Sequence, residues 1–204
     1  MILRPVKQKD IVPVVEVLLS AFWEDPFIGF LFGSDWQKST HVREFFQILL
    51  DVRVTLSMPA FYSEEDGEVV GAVMGYDASR PTWPEDHAVK WSRLMKVAEG
   101  LESRLDAYGK LAEKFVPSQP HFYLGVIGVR IGRKGSGFGG ALLAKFCEAS
   151  ARNSESAGVF LETASEASLR FYLKNGFELR GQGMLGKSTR LWCVFKATGH
   201  GAAT

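Results

Sequence analysis

Only two cysteines occur in 204 residues, Cys147 and Cys193, and no CxxC or Cys/His spacing accompanies them. A disulfide framework and a zinc site are therefore not expected, and a reducing interior is. No stretch approaches the roughly 18 apolar residues of a membrane span. Neither sign of charge is in excess, since 24 Lys and Arg face 23 Asp and Glu for a formal net charge of +1. No global attraction to nucleic acid or to an anionic membrane follows, so any basic site has to be local. The opening MILRPVKQKD sets Lys7, Lys9 and Asp10 where a secretory leader needs an apolar run. Repeats, low-complexity tracts and clear linkers are also missing. The expectation is a soluble cytoplasmic protein with no metal, nucleic-acid or membrane partner, its oligomeric state open.

What is present is a hydrophobic fraction of 46%, enough for one core and about one domain at this length. Ile2 to Val6 reads as a strand. Asp10 reads as a helix N-cap, with Pro13 tolerated in the first turn. Ile11, Val14, Val15, Leu18 and Phe22 follow at helical spacing, which takes the helix to about Ala21. Asp25-Pro26 interrupts it, and Phe27 to Phe32 suggests a short second helix. Val42, Phe45, Phe46 and Leu49 mark a third helical face. Two apolar runs, Ala60 to Ser63 and Val69 to Tyr76, bracket Glu64-Glu65-Asp66-Gly67 and predict a hairpin. Residues 77–120 are the hardest to read. Pro81 and Pro84 break them, and Trp91, Leu94, Met95, Leu101, Leu105 and Leu111 suggest one or two amphipathic helices.

The last third is clearer. FYLGVIGV, Phe122 to Val129, predicts an apolar strand. A helix carrying Phe138, Leu142 and Phe146 follows a glycine loop, and Gly158 to Thr163 predicts a second buried strand. Thr163 and Glu166 have capping-box spacing ahead of a helix through Lys174. Asn175-Gly176 supplies its stop. Phe177 to Gly183 and Arg190 to Lys196 fit a final hairpin, and Gly199 to Thr204 a frayed tail. The pattern is that of a single α/β domain.

The loop reads Arg130-Ile131-Gly132-Arg133-Lys134-Gly135-Ser136-Gly137-Phe138-Gly139-Gly140. It leaves a strand and opens a helix, where free N–H groups and the helix dipole favour an anion. Glycines let the backbone approach a phosphate and take positive φ. Arg130, Arg133 and Lys134 add local charge. Against phosphate binding stands a plain glycine turn with a solvated basic face. Gly135, Gly137 and Gly140 also fit GxGxxG, and Glu162 lies about twenty residues on, as in the dinucleotide fingerprint. That reading, a nucleotide-dependent oxidoreductase, ranks lower. The 64 residues after Gly140 continue as strand, helix and hairpin and leave no room for a second nucleotide-binding half. A P-loop is excluded, because no GK[ST] follows the glycines.

Val129, Lys134, Gly135, Gly137 and Gly139 resemble the coenzyme A loop of the Gcn5-related N-acetyltransferases, the GNAT superfamily. A second stretch, FLETASEASLRFYLKNGF from Phe160 to Phe177, is similar to that family's strand–helix–strand block. Asp25-Pro26, Phe122-Tyr123-Leu124 and Arg190-Leu191-Trp192-Cys193 most resemble the puromycin N-acetyltransferase branch. The likeness covers about 77 residues strongly, from His121 to Ala197. Three positions depart from it: Ile131 replaces a proline, Lys134 a glutamine or arginine, and Ser165 an asparagine.

The resemblance implies a mixed, mainly antiparallel sheet flanked by helices and splayed at an acyl-coenzyme A cleft. Within one domain, 1–120 would form the acceptor side and 121–197 the acyl-coenzyme A side. It implies an N-acetyltransferase moving an acetyl group from acetyl-coenzyme A to a small-molecule amine. The coenzyme would be held by Ile127, Gly128, Val129, Lys134, Gly135, Ser136, Gly137, Phe138, Gly139, Gly140 and Ser165. N–H groups near Gly125 to Ile127 would face the thioester oxygen. Tyr172 stands where relatives place a proton donor to the departing thiolate, with Leu169, Tyr172 and Leu173 on one side of a helix.

Proton removal from the amine needs a base. Candidates are Glu162, Glu24, Asp25 and His121. Glu162 alternates with Leu161 on a strand and faces either the cleft or an ion-pair partner. Asp25 also suits a turn, and His121 a surface strand end. Among the aromatics Phe22, Trp23, Phe27, Phe30, Phe32, Trp36, Phe45 and Phe46, most must be core, and a few suit an acceptor pocket. An acyl-coenzyme A sensor without catalysis is the alternative from another functional class.

Overall fold

The computed structural model describes residues 1–33, 35, 37 and 39–198; Trp36 and the tail Gly199 to Thr204 lie outside the described residues. The anticipated strands form β1 (Ile2–Pro5), β2 (Ala60–Glu65), β3 (Glu68–Tyr76), β4 (Phe122–Val129), β5 (Gly158–Thr163), β6 (Glu178–Leu185) and β7 (Thr189–Ala197). Helices are α1 (Ile11–Ala21), α2 (Pro26–Phe32), α3 (His41–Thr55), α4 (Glu85–Val97), α5 (Leu101–Ala112), α6 (Phe138–Ala151) and α7 (Glu166–Lys174). The unreadable stretch thus holds two helices, α4 and α5.

One open sheet runs β1-β2-β3-β4-β5-β7-β6. The Asp66-Gly67 turn joins β2 to β3, and both residues have positive φ, 51° and 82°, as a two-residue hairpin of right-handed twist requires. Every neighbouring pair is antiparallel except β4 and β5. Those two pair in parallel through Phe122 with Val159 and Tyr123 with Phe160, and then part. The expected splay is therefore present.

A bulge sets which side chains face which layer. Met74 pairs with Val126 and Gly75 with Leu124, so Gly125 is one residue in excess on β4. An inserted residue reverses the alternation beyond it. Phe122 and Leu124 join the core under α6 and α7, yet Val126 joins the opposite core with α1, α3 and α4. A third cluster packs α5 against β5 and β7 through Ala112, Phe160, Leu191 and Cys193. Gly128 is demanded by packing, since a Cβ there would lie 2.7 Å from that of Ala21 on α1.

Two caps differ from expectation. Asp10 does not cap α1; its carboxylate accepts the Lys7 N–H at 2.9 Å and closes a 3-10 turn that runs straight into the helix. Thr163 remains in β5, paired with Trp192, so the helix start moves on two residues. Ser165 caps α7 instead, accepting the Ser168 N–H at 3.3 Å. In α7 only Tyr172 is buried, and Leu173 is exposed rather than sharing its face.

Candidate active site

A cavity of about 210 Å³ lies where β4 and β5 separate, walled by Leu124–Ile127, by Glu162–Ala164 and by side chains of α2, α3, α5 and α7. Strand pairing explains how Glu162 reaches it: the residue sits opposite Cys193 of β7, between the inward Leu161 and the strand end. Its carboxylate accepts a hydrogen bond from Tyr108 of α5 at 3.0 Å, and Tyr108 meets the hydroxyl of Tyr123 at 2.8 Å. Burial raises the pKa of Glu162 to about 7, against the pull of the two tyrosine hydroxyls and Arg80. Burial, with the Glu162 charge, pushes the neighbouring Cys193 thiol up to about 12. Tyr108 and Tyr123 are likewise raised by burial and by that carboxylate.

Tyr172 borders the same cavity, 6% exposed, its ring against Phe171 and Phe177. Burial raises its pKa, with a smaller contribution from Asp25. Asp25 lines the cavity, but one of its oxygens accepts the N–H groups of Phe27 and Ile28 at 2.9 and 3.2 Å, capping α2. Burial raises its pKa against those two bonds. Glu24 is exposed. His121 is buried rather than at the surface, and it does not border the cavity. Its ring nitrogens meet the Gln119 carbonyl and the Arg80 guanidinium, and burial lowers its pKa. Of the four candidate bases, only Glu162 couples an inward carboxylate to a pKa near neutrality. Phe22, Phe27, Phe45 and Phe46 wall the cavity, whereas Trp23 is 48% exposed.

The glycine loop sits at the other end of β4. Residues 131–137 are exposed, and Gly132, Gly135 and Gly137 have φ of 89°, 86° and 85°. No side chain caps α6, so the amides of Phe138, Gly139 and Gly140 have no partner within the helix. A Cβ on Gly135, Gly137 or Gly140 would meet nothing within 4 Å. The basic character is smaller than the sequence suggests. Arg130 donates to the Val69 carbonyl, and Arg133 pairs with Glu65 at 2.5 Å. Lys134 makes no ion pair among the described residues and is exposed.

A model of the acetyltransferase (GNAT) family matches residues 16–177. The chain belongs to the GNAT acetyltransferase family. Its fold is shared with a structure from Corynebacterium glutamicum described as histone acetyltransferase HPA2 and related acetyltransferase. The two are 23% identical over 96% of both chains, with a TM-score of 0.70. A Drosophila melanogaster polyamine N-acetyltransferase that forms N-acetylagmatine is 18% identical, TM-score 0.64, over 95% of this chain and 97% of that one. A ribosomal-protein-alanine N-acetyltransferase from Brucella melitensis is 19% identical, TM-score 0.58, over 97% and 99%.

The features of this GNAT acetyltransferase disfavour the dinucleotide reading independently. The third glycine of that fingerprint exists for close helix–strand packing, and at Gly140 a Cβ would have open space around it. The mainly antiparallel sheet also lacks the doubly wound order. Among the described residues no His, Cys, Asp and Glu group suits a metal, and no helix is long and apolar enough to cross a membrane. Sequence reading missed Arg53, Tyr108 and Tyr123. Tyr123 had a signal in its alternation with Phe122 and Leu124; Tyr108 lies in the stretch whose helices could not be docked.

Proposed function

We propose that this GNAT acetyltransferase moves an acetyl group from acetyl-coenzyme A to the amine of a small molecule. The observation that carries the reading is the joining, along β4, of an open glycine loop to a cavity lined by a half-buried carboxylate and a buried tyrosine. The loop fits a pyrophosphate: positive-φ glycines leave open space, α6 presents uncapped amides, and Lys134 supplies an unpaired charge. Past Tyr123, the edge of β4 that faces β5 has no strand partner among the described residues. Ile127, Gly128 and Val129 there offer backbone groups to the amide-bearing arm of the coenzyme. Gly135, Ser136, Gly137, Phe138, Gly139 and Gly140 would hold the phosphates. Phe138 contributes only its amide, because its side chain is buried. Ser165 uses its hydroxyl to cap α7, and its own N–H and carbonyl are engaged by Thr163 and Leu169, so its share in holding the coenzyme is limited to the remaining capacity of the hydroxyl.

When bound, the coenzyme supplies an acyl thioester, activated for attack by an amine. Glu162, with a pKa of about 7, removes the proton that the acceptor ammonium must lose. Tyr108 keeps that carboxylate oriented. Amides beside the Gly125 bulge face the carbonyl oxygen and lower the cost of charge building there. Tyr172 delivers a proton from its hydroxyl to the departing sulfur, and the second proton shed by the newly acylated nitrogen restores the phenol. A phenol with its pKa raised is a weak acid, so this help matters most for a poor leaving group. A small acceptor suits the enclosed, aromatic cavity. The aromatic side chains that line it, Phe22, Phe27, Phe45 and Phe46 among them, support an apolar or aromatic amine.

The test is a melting-temperature series with acetyl-coenzyme A and with NADH, followed by an amine panel read by thiol release. Acetyl-coenzyme A is expected to raise the melting temperature with concentration, and NADH is not. Stabilisation by NADH alone would overturn the reading; stabilisation without turnover of any amine would leave a coenzyme A sensor.

A further inference from the structure

Resting on the acyltransferase reading, we infer that the acceptor amine carries a carboxylate near its nitrogen, and that Arg53 binds it. Arg53 is 3% exposed and continues the apolar stripe of α3 that Phe45, Phe46 and Leu49 begin. A leucine is the residue expected at that helical position. A guanidinium has five N–H donors. Among the described residues it makes one hydrogen bond, from Nη1 to the Leu49 carbonyl at 2.7 Å, and lies 4.4 Å over the Tyr76 ring. Among the described residues its buried Nε has no hydrogen-bond partner. No carboxylate comes within ion-pair distance among the described residues. A buried cation left so poorly matched is costly unless something else completes it.

The guanidinium borders the cavity, so a ligand there can complete it. Nη2 lies beside the bulge residue Gly125, where even a Cβ would be 3.3 Å from it. Lacking that Cβ, Gly125 leaves the fork uncovered at the point where the acyl carbonyl is expected. The same cavity holds Glu162 on β5. It therefore presents one positive and one negative group at separate points between aromatic walls such as Phe27, Phe45 and Trp91. That is the complement of a zwitterion: the ammonium towards Glu162 and the carboxylate on the planar Arg53 fork, which suits two parallel N–H···O bonds. A polyamine would instead bring a second cation up to a buried guanidinium. Asp25, the other acid of the wall, is already engaged in capping α2.

The test uses the intact protein with acetyl-coenzyme A and four probes: phenylalanine, its methyl ester, phenethylamine and spermidine. The acetyl-coenzyme A melting shift is read first, so that failure of the acyltransferase reading is seen separately. With that shift in place, phenylalanine is expected to exceed each other probe in kcat/KM by about 10- to 100-fold. In R53Q the preference should collapse towards parity, mainly through a higher KM for phenylalanine, and R53K should restore part of it. The unmodified protein alone can refute the idea, whether or not the variants fold. Equal or better use of the ester, phenethylamine or spermidine overturns it, as does failure to acetylate phenylalanine. An R53Q loss equal across all probes overturns it too, since that marks a structural role.

Discussion

The glycine loop and the cavity are the two ends of β4, and they are built from opposite materials. The loop is exposed, short in sequence and relies on backbone: its donors are amides, and five of its eleven residues are glycine. The cavity is made of side chains drawn from α2, α3, α4, α5, α7, β4, β5 and β7. A backbone site is indifferent to pH. A side-chain site in a low-dielectric setting is tuned by every neighbour, and Glu162 near pKa 7 is the clearest example. Substitutions at the cavity should therefore change rate and pH dependence, and those at the loop should change affinity alone.

The sharpest division is expected at Glu162. Glu162→Gln should lower kcat by about 10²- to 10⁴-fold, the range for general acid–base groups. Acetyl-coenzyme A affinity by calorimetry should hardly move. In the unmodified protein the raised pKa means that the base is protonated below pH about 7, so kcat/KM is gained as pH rises through that value. The Gln variant should lose that limb. A variant that retains both rate and limb would place the base elsewhere.

Tyr172→Phe comes next, near the lower end at about 10²-fold in kcat. A thioester whose leaving thiol has a lower pKa should recover part of that loss. Equal losses with both thioesters would remove the proton-donor role.

Gly137→Val crosses to the other end of β4. Its φ of 85° strains a β-branched residue by about 1–2 kcal/mol. The side chain would stand in the open space where a phosphate approaches, so acetyl-coenzyme A affinity should fall by more than about tenfold, with kcat at saturation nearly kept. An unfolding curve beside the titration separates the two effects. Unchanged affinity in a folded variant would move the phosphate site away.

The smallest effect is expected for Tyr108→Phe, which keeps the ring and removes one donor from the Glu162 carboxylate. Losing a bond to the charged form raises the pKa, so the rising limb should shift to higher pH by about one unit. At pH 7 that is a several-fold loss, mostly recovered in alkali. A downward shift would mean that the bond does not act on the charged form.

The same contrast decides what could be read before the fold was known. The loop was legible because backbone sites need glycines in succession next to a strand and a helix, all within about fifteen residues. Its charge was overestimated, because Arg130 and Arg133 are engaged by β3 and Glu65, which are remote in sequence. The strands were legible from their apolar runs. The bulge at Gly125 was not, since an extra residue is defined only against its partner strand. Glu162 and Tyr172 could be named from their block. Tyr108 could not, because its role depends on how α5 docks on β5. Arg53 left a mark in the sequence, a charge in an apolar helical stripe, and went unread among the aromatics around it.

The two-residue pairing of β4 with β5 has a further consequence for how the chain avoids its own kind. Unpaired strand edges normally lie at the rim of a sheet, where they invite a strand from another molecule. This sheet carries one such edge in its middle, along β4 from Leu124 to Val129. With β5 splaying away on one side and α6 packed beneath, that edge opens into the cleft between the two strands and not onto the outside of the sheet. The strip most in need of a partner strand thus lies inside the fold, while the rim of the sheet is left to β1 and β6.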